Sequence, residues 1–369
     1  MSYNYRYKNE WNFDALEVYV GSLAKHENNF PEIIRRMATL ALELPNLIKK
    51  AIPLLRQNRN HSITLSQVQI SCLLANAFFC TFPHRNSTQP NSEYSNFPTI
   101  NFSSLFGNAS KQKTEKLRAI FHYFSTVTAP DANLKGLVTF ERRCLADPPN
   151  WREEKDELTR LYISPDGSIE REGDGMLQVD FASKFVGGGV LGKGLVQEEI
   201  LFLMNPELIV SRLFTEKLND NECLKITGAQ IYSCYSGYSD AFEWRGPYSD
   251  ESERDEWRRR RRQIIAIDAL HFKNHTDQYN EGSIKRELNK AYCGFRENDV
   301  HPDYLPSIAT GNWGCGAFNG DYKLKALIQM MAAAVVKRDL AYFTFGNRNQ
   351  AEQIRKMHQH LTDHRVTVD

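Results

Sequence analysis

Apolar residues recur at helical spacing through the first third of the chain and in short strand-like runs through the rest. Ile33, Ile34, Met37, Leu40, Ala41 and Leu44, then Val68, Ile70, Leu73, Leu74 and Ala77, fall mostly three and four apart, so the region from about residue 30 to 125 is expected to be helical with few strands. A polar stretch over 84–101, rich in Ser and Asn and carrying prolines, predicts a long connector between helices. Past residue 150, β-rich runs at 178–181, 223–230, 263–269, 307–310 and 341–345 alternate with helical runs at 196–217, 283–293, 321–338 and 349–361. That alternation predicts an α/β sheet covered by helices, with the strand order left open. No Gly/Ser-rich linker separates the halves, so a helical accessory region over 1–150 is expected to pack against an α/β unit over 151–369.

Composition narrows the function. Lys plus Arg number 46 against 45 for Asp plus Glu, a net charge of +1, so no global field draws the chain to DNA or to an anionic membrane. Any polyanion must meet a local site. The apolar runs at 332–336 and 200–204 are far shorter than a membrane span, and the polar start over 1–11 lacks a signal-peptide core, so an intracellular protein is expected. Seven widely spaced cysteines, without a CxxC pair, are expected to be reduced and mostly buried.

The segment from Gln178 to Ile200 predicts a strand, a glycine-rich turn and a helix opening on paired carboxylates. Five glycines (Gly187, Gly188, Gly189, Gly192, Gly194) fall within eight positions. The first three allow positive φ and close backbone approach, and a helix N-terminus behind them favours an anion, so phosphate cradling is expected. The spacing fits neither the P-loop nor the dinucleotide fingerprint. A plain flexible connector would account for the glycines alone; the triplet Gln197-Glu198-Glu199 argues against it. Successive helical residues lie roughly 100° apart, so Glu198 and Glu199 cannot flank one bond and must do separate work. Either one Glu serves as acid and then base, the preferred reading, or a distant carboxylate such as Asp180 contributes. Acidic residues at a helix start also simply offset the macrodipole, which lowers a carboxyl pKa unless burial and a nearby phosphate raise it.

Gly187-Gly188-Gly189, a seven-residue spacer and Gln197-Glu198-Glu199 resemble the signature of the eukaryotic poly(ADP-ribose) glycohydrolases. Segments 60–64 (NHSIT), 73–82 (LLANAFFCTF), 136–140 (GLVTF), 267–272 (IDALHF), 286–295 (RELNKAYCGF) and 309–318 (ATGNWGCGAF) resemble that family too, so the likeness runs from about residue 12 onward. The resemblance implies a macrodomain, a three-layer α/β/α sandwich with a mixed sheet, joined to the helical region. It implies that Glu199 is the acid/base, that Glu198 orients the ribose and that Asp180 supports them from the preceding strand. It matches Tyr238 to adenine stacking, with Tyr235 nearby, Ile169 and Glu170 to adenine contacts, and Gln197 to a place beside the adenine. Asn312, Gly314, Cys315, Gly316 and Ala317 match a second phosphate loop, and Phe318 and Phe345 match residues packing on the distal ribose. Taken singly, any of these aromatics among 16 Tyr and 21 Phe would be assigned to the core. The implied reaction cleaves ribose–ribose bonds from the chain end, releases ADP-ribose and needs neither metal nor nucleotide cofactor. Poly(ADP-ribose) and ADP-ribosylated proteins are the implied partners, in the nucleus, the cytoplasm or both and within the DNA damage response, with a monomeric enzyme and no direct DNA or membrane binding. The chain departs from the family pattern at Ser183, where the vertebrate-type sequence has Asn near the reacting ribose, so a hydrogen bond there is expected to be shortened, water-mediated or lost.

Other features have plainer readings. The five arginines from Arg258 to Arg262 follow an acidic run over 251–256 and suit a solvated helix with the macrodipole's charge order, in preference to a polyanion edge or import signal. His271 and His275 near Asp268 and Asp277 lack the HExxH frame of a zinc site. Cys315, without a paired His, is read as a packing residue. A non-catalytic ADP-ribose reader is the alternative from another class, and it would not need the Gln-Glu-Glu triplet. Hydrolysis of a mono(ADP-ribosyl)–protein bond is a third.

Overall fold

The computed structural model describes residues 11–23, 29–85, 92, 94–297, 300–301 and 304–369. Most of the polar start over 1–11, and residues 86–91 and 93 of the expected connector, lie outside the described residues. The elements run α1 (Asp14–Gly21), α2 (Phe30–Leu42), α3 (Leu44–Leu47), β1 (His61–Ser66), α4 (Gln67–Phe78), α5 (Ser103–Phe106), α6 (Lys111–Val127), β2 (Leu137–Cys144), β3 (Leu161–Ser164), α7 (Ile169–Glu172), β4 (Leu177–Ala182), α8 (Gln197–Met204), α9 (Ser211–Phe214), β5 (Glu222–Thr227), β6 (Ser233–Ser236), β7 (Glu243–Pro247), β8 (Gln263–Asp268), α10 (Glu281–Phe295), β9 (Ile308–Gly311), α11 (Tyr322–Val335), β10 (Leu340–Phe343) and α12 (Arg348–Asp363). Helix starts are set by local chemistry: Ser66 accepts from Gln69 N while Gln69 accepts from Ser66 N, a closed capping box for α4. Ser110, Asn280, Asp321 and Asn347 cap α6, α10, α11 and α12 in the same way from one side.

Eight strands form one sheet in the order β1-β2-β5-β8-β4-β9-β10-β3. β8, β4, β9, β10 and β3 are parallel, and β5, β2 and β1 extend the sheet antiparallel. Successive residues of β8 serve opposite cores: Ile264 and Ala266 face the layer built with the N-terminal helices and α8, whereas Ile265 and Ile267 face α10, α11 and α12. The result is the expected α/β/α sandwich with a mixed sheet and a helical region on one side.

Three sequence expectations need correction. β1 and β2 come from within the supposedly helical N-terminal stretch yet lie in the main sheet; β2 was hidden because its inward position 142 carries an arginine, fully buried and paired with Glu222, which breaks the apolar alternation. The helix expected over 196–217 is broken after Met204, where Pro206 starts a 3-10 turn that leads into α9. No helix covers the arginine run: Asp255 accepts from the N–H groups of Trp257 and Arg259, Arg258 sits at φ 62°, and Arg259, Arg260 and Arg262 are tied to Asp255, Ser252 and Asp250 respectively. An Asx turn has replaced the helix; Arg262 is buried, Arg259 and Arg260 are half-buried, and Arg258 and Arg261 remain exposed. All seven cysteines are free, four of them buried. No helix among the described residues is long and apolar enough to cross a membrane.

Candidate active site

Parallel strands bring their carboxyl ends to one edge of the sheet. β4 runs alongside β8 through Ala182 but pairs with β9 only at Leu177 and Gln178, whereas β9 stays with β10 through Gly311. The sheet therefore splits between β4 and β9, the kind of crevice in which ligands of α/β proteins bind. Beyond the split, the side chain of Gln197 stands in for the missing strand: its Oε1 accepts from Phe181 N at 2.8 Å and its Nε2 donates to Val179 O at 3.2 Å. Its amide is thus committed to β4.

The loop from Ser183 to Val196 wraps the start of α8, and the two glutamates grip its two arms. Glu198 accepts from Ser183 N at 2.8 Å and from Gly187 N at 2.6 Å. Glu199 accepts from Gly189 N and Val196 N, both at 2.8 Å. The two carboxyls thus hold different arms of the loop. Gly187 and Gly188 adopt φ of 86° and 45°, but Gly189 does not share that conformation, contrary to expectation. Its need is spatial: a Cβ there would lie 2.7 Å from Gly194 N. The glycines make room for carboxylates as much as for a ligand.

Asp180 is fully buried on β4, and among the described residues neither carboxyl oxygen has a hydrogen-bond partner. Burial first, then the charge of Glu199, holds its pKa well above the ordinary value. Burial likewise raises Glu198, helped by Asp180 and Glu199 and opposed by the N–H bonds from Ser183 and Gly187. Asp180 and Glu198 thus each feel the charge of the Glu199 carboxylate beside them.

Two buried cations beneath the loop were not legible in the motif. Lys116, on α6, donates to the carbonyls of Gly189, Val190, Gly192 and Gly194. Arg212, on α9, donates from Nη1 to the carbonyls of Val186 at 2.9 Å and Gly188 at 3.0 Å. Burial pushes Lys116 down to about 7, with Glu199 opposing, and Arg212 down to about 10, with Glu198 and Glu199 opposing. Only a long cationic residue at a helical core position could have hinted at either.

Aromatic residues rim the crevice. Tyr238, 54% exposed, follows β6 and is hydrogen-bonded to the Gln197 backbone. Tyr235 is mostly buried, stacks on Phe242 at 5.9 Å and feels the charge of Glu170, whose own pKa burial raises. Ile169 is buried at the start of α7. Phe345, 47% exposed at the end of β10, meets Phe181 edge-on at 6.4 Å; a Cβ on Gly311 would approach its ring to 2.8 Å. In the second loop Asn312 donates to Gln350 and accepts from the Tyr342 hydroxyl, Gly314 has φ 74°, and Gly316 and Ala317 are exposed. Phe318 packs against His271 at 5.5 Å. Burial raises the Cys315 thiol to about 12, in keeping with a packing role. Ser183 meets Glu198 through its backbone N–H, while its Oγ accepts from Phe185 N at 3.3 Å. Asp268 is neutralised by Lys290 and Arg286. Among the described residues no group of three His, Cys, Asp or Glu is arranged to hold a metal.

A split parallel sheet, two glycine-rich loops at its open end and a helical region alongside define a macrodomain with an N-terminal addition. Comparison with known proteins agrees. The family described as poly (ADP-ribose) glycohydrolase (PARG), Macro domain fold, matches residues 148–352, and its helical domain matches residues 22–142. Poly(ADP-ribose) glycohydrolase 1 of Arabidopsis thaliana is 33% identical over 92% of this chain and 76% of its own. Poly(ADP-ribose) glycohydrolase 1 of Caenorhabditis elegans is 33% identical over 98% of this chain and 47% of its own. A Thermomonospora curvata poly(ADP-ribose) glycohydrolase bound to the inhibitor ADP-HPD aligns over 66% of this chain and 99% of that one, at 14% identity and a TM-score of 0.40. The chain belongs to the poly(ADP-ribose) glycohydrolase family.

Proposed function

We propose that the protein is a glycosidase that hydrolyses the ribose–ribose bonds of poly(ADP-ribose) and releases ADP-ribose. The observation that carries this reading is the buried Glu199 carboxyl, fixed by two backbone N–H groups of the glycine-rich loop, with its charge felt by Asp180 and Glu198.

In this mechanism Glu199 protonates the leaving 2′-oxygen as C1″ of the departing unit gains oxocarbenium character, then takes a proton from the attacking water. Glu198 orients the ribose, and Asp180, whose carboxyl burial holds well above its usual range, limits the negative charge stored in the cluster. Tyr238 stacks on adenine, Phe345 packs on the distal ribose, and the loops carrying Gly188 and Gly314 present backbone to the diphosphate. No residue in the scheme requires a metal or a second nucleotide. On the same reading the substrate is met on ADP-ribosylated proteins by a monomer, in the nucleus, the cytoplasm or both, in the response to DNA damage.

The test is incubation of the purified chain with automodified polymer and, separately, with mono-ADP-ribosylated protein, followed by identification of what is released. Free ADP-ribose from polymer is expected, and E199Q should abolish release while still binding ADP-ribose. Release only from the mono-modified protein, or binding by the unaltered chain without any release, would overturn the assignment.

A further inference from the structure

One peptide unit contains the carbonyl of one residue and the N–H of the next, and this couples Arg212 to both glutamates. The carbonyl of Val186 accepts from Arg212 Nη1 while the N–H of the same peptide, on Gly187, binds Glu198 at 2.6 Å. The carbonyl of Gly188 accepts from the same Nη1 while its peptide partner, the N–H of Gly189, binds Glu199 at 2.8 Å. A single nitrogen therefore sets the tilt of two peptide planes, each aimed at a different carboxylate. Arg212 is 4% exposed, and its Nε is anchored on Thr99 O at 2.8 Å. Gly187 is shaped to admit it: a Cβ there would lie 3.0 Å from Nη1.

We propose that Arg212 is a positioning residue of the reaction, holding Glu198 and Glu199 in their working geometry through the Val186–Gly187 and Gly188–Gly189 peptides. It rests on the glycosidase reading for its effect on turnover, but not for its effect on the loop. Without the guanidinium, the buried carbonyl of Val186 and the half-buried carbonyl of Gly188 lose their donor, the peptide planes are free to rotate, and the N–H groups leave the carboxylates. The other hydrogen bond to Glu199 comes from Val196, whose peptide Arg212 does not touch. That difference supplies an internal control.

The experiment compares the full-length R212M and R212K variants with the parent chain. R212M should lose about 100-fold in kcat, the cost of a small misplacement of a catalytic group. R212K, which keeps a cation but not the planar fork, should fall between the two. Amide exchange measured by NMR should accelerate at Gly187 and Gly189 and stay slow at Val196. Unchanged kcat with unchanged exchange would overturn the proposal. So would loss of kcat with all three amides exchanging together, which is what a merely structural arginine gives. Should R212M fail to fold, R212K carries the same readouts, with about tenfold lower kcat expected and the same two amides affected. If the parent chain releases no ADP-ribose, the glycosidase reading fails, and the exchange pattern alone decides this one.

Discussion

A side chain on Gly188 would collide with the carboxylate of Glu199: its Cβ would stand 2.5 Å from Oε1, and 2.7 Å from Oε2 of Glu198. With φ at 45°, the position is also one that L-residues rarely adopt. G188A is expected to fold, because the clash is with the far ends of side chains and not with backbone, and to lose about 100-fold in kcat by displacing Glu199. Steady-state turnover together with a thermal melt checks this; full activity in a folded G188A would contradict the geometry.

Asp180 should make the native state less stable as pH rises. Its pKa in the fold is well above the ordinary 3.8, so between those two values the native state holds a proton that the unfolded chain releases. Stability then falls with increasing pH through that window. D180N removes the titrating group, and its unfolding free energy is expected to vary less over that range and to exceed that of the parent at neutral pH, while turnover drops. Denaturant titrations across pH measure both the slope and the crossing.

Lys116 has the opposite sign. Burial lowers its pKa from 10.5 to about 7, so between these values the unfolded chain binds the extra proton and the lysine's destabilising contribution diminishes as pH rises. Its charge faces Glu199 on α8, Lys113 on its own helix and Arg212 on α9. K116Q keeps hydrogen-bond donors without the charge and should abolish this part of the pH dependence, read again from denaturant midpoints.

Tyr238 and Phe345 are about half exposed, so removing them should affect substrate more than folding. Y238A and F345A are each expected to weaken ADP-ribose binding by about tenfold, the worth of an aromatic contact of roughly 1.4 kcal/mol, with melting temperatures unchanged. Isothermal titration with ADP-ribose provides the number.

Much of this was legible because the chemistry sits in one contiguous stretch. The strand before the loop, the glycines and the Gln-Glu-Glu triplet are local, and their periodicity and composition identify them. What escaped was set by partners far away in sequence. Arg142 becomes an inward strand residue only because Glu222 neutralises it, and the basic residues after Arg258 leave the helical path because Asp255 captures their N–H groups. Lys116 looks like one more charge on a helix that also carries Lys111, Lys113, Glu115 and Arg118, and Arg212 like an ordinary helical position, until the loop folds over them. Ser183 was singled out for its side chain, yet its backbone N–H makes the contact with Glu198.

The two family matches meet between residues 142 and 148, beside the end of β2, and this has a practical outcome. β2 is bonded along six residue pairs to β5 in the sheet of the other unit. Severing the chain there would strip the cover from β5 and bare a long row of unpaired amides, an invitation to stack edge to edge with other copies. The C-terminal fragment produced alone should therefore aggregate, and supplying the missing N-terminal piece in trans should restore solubility.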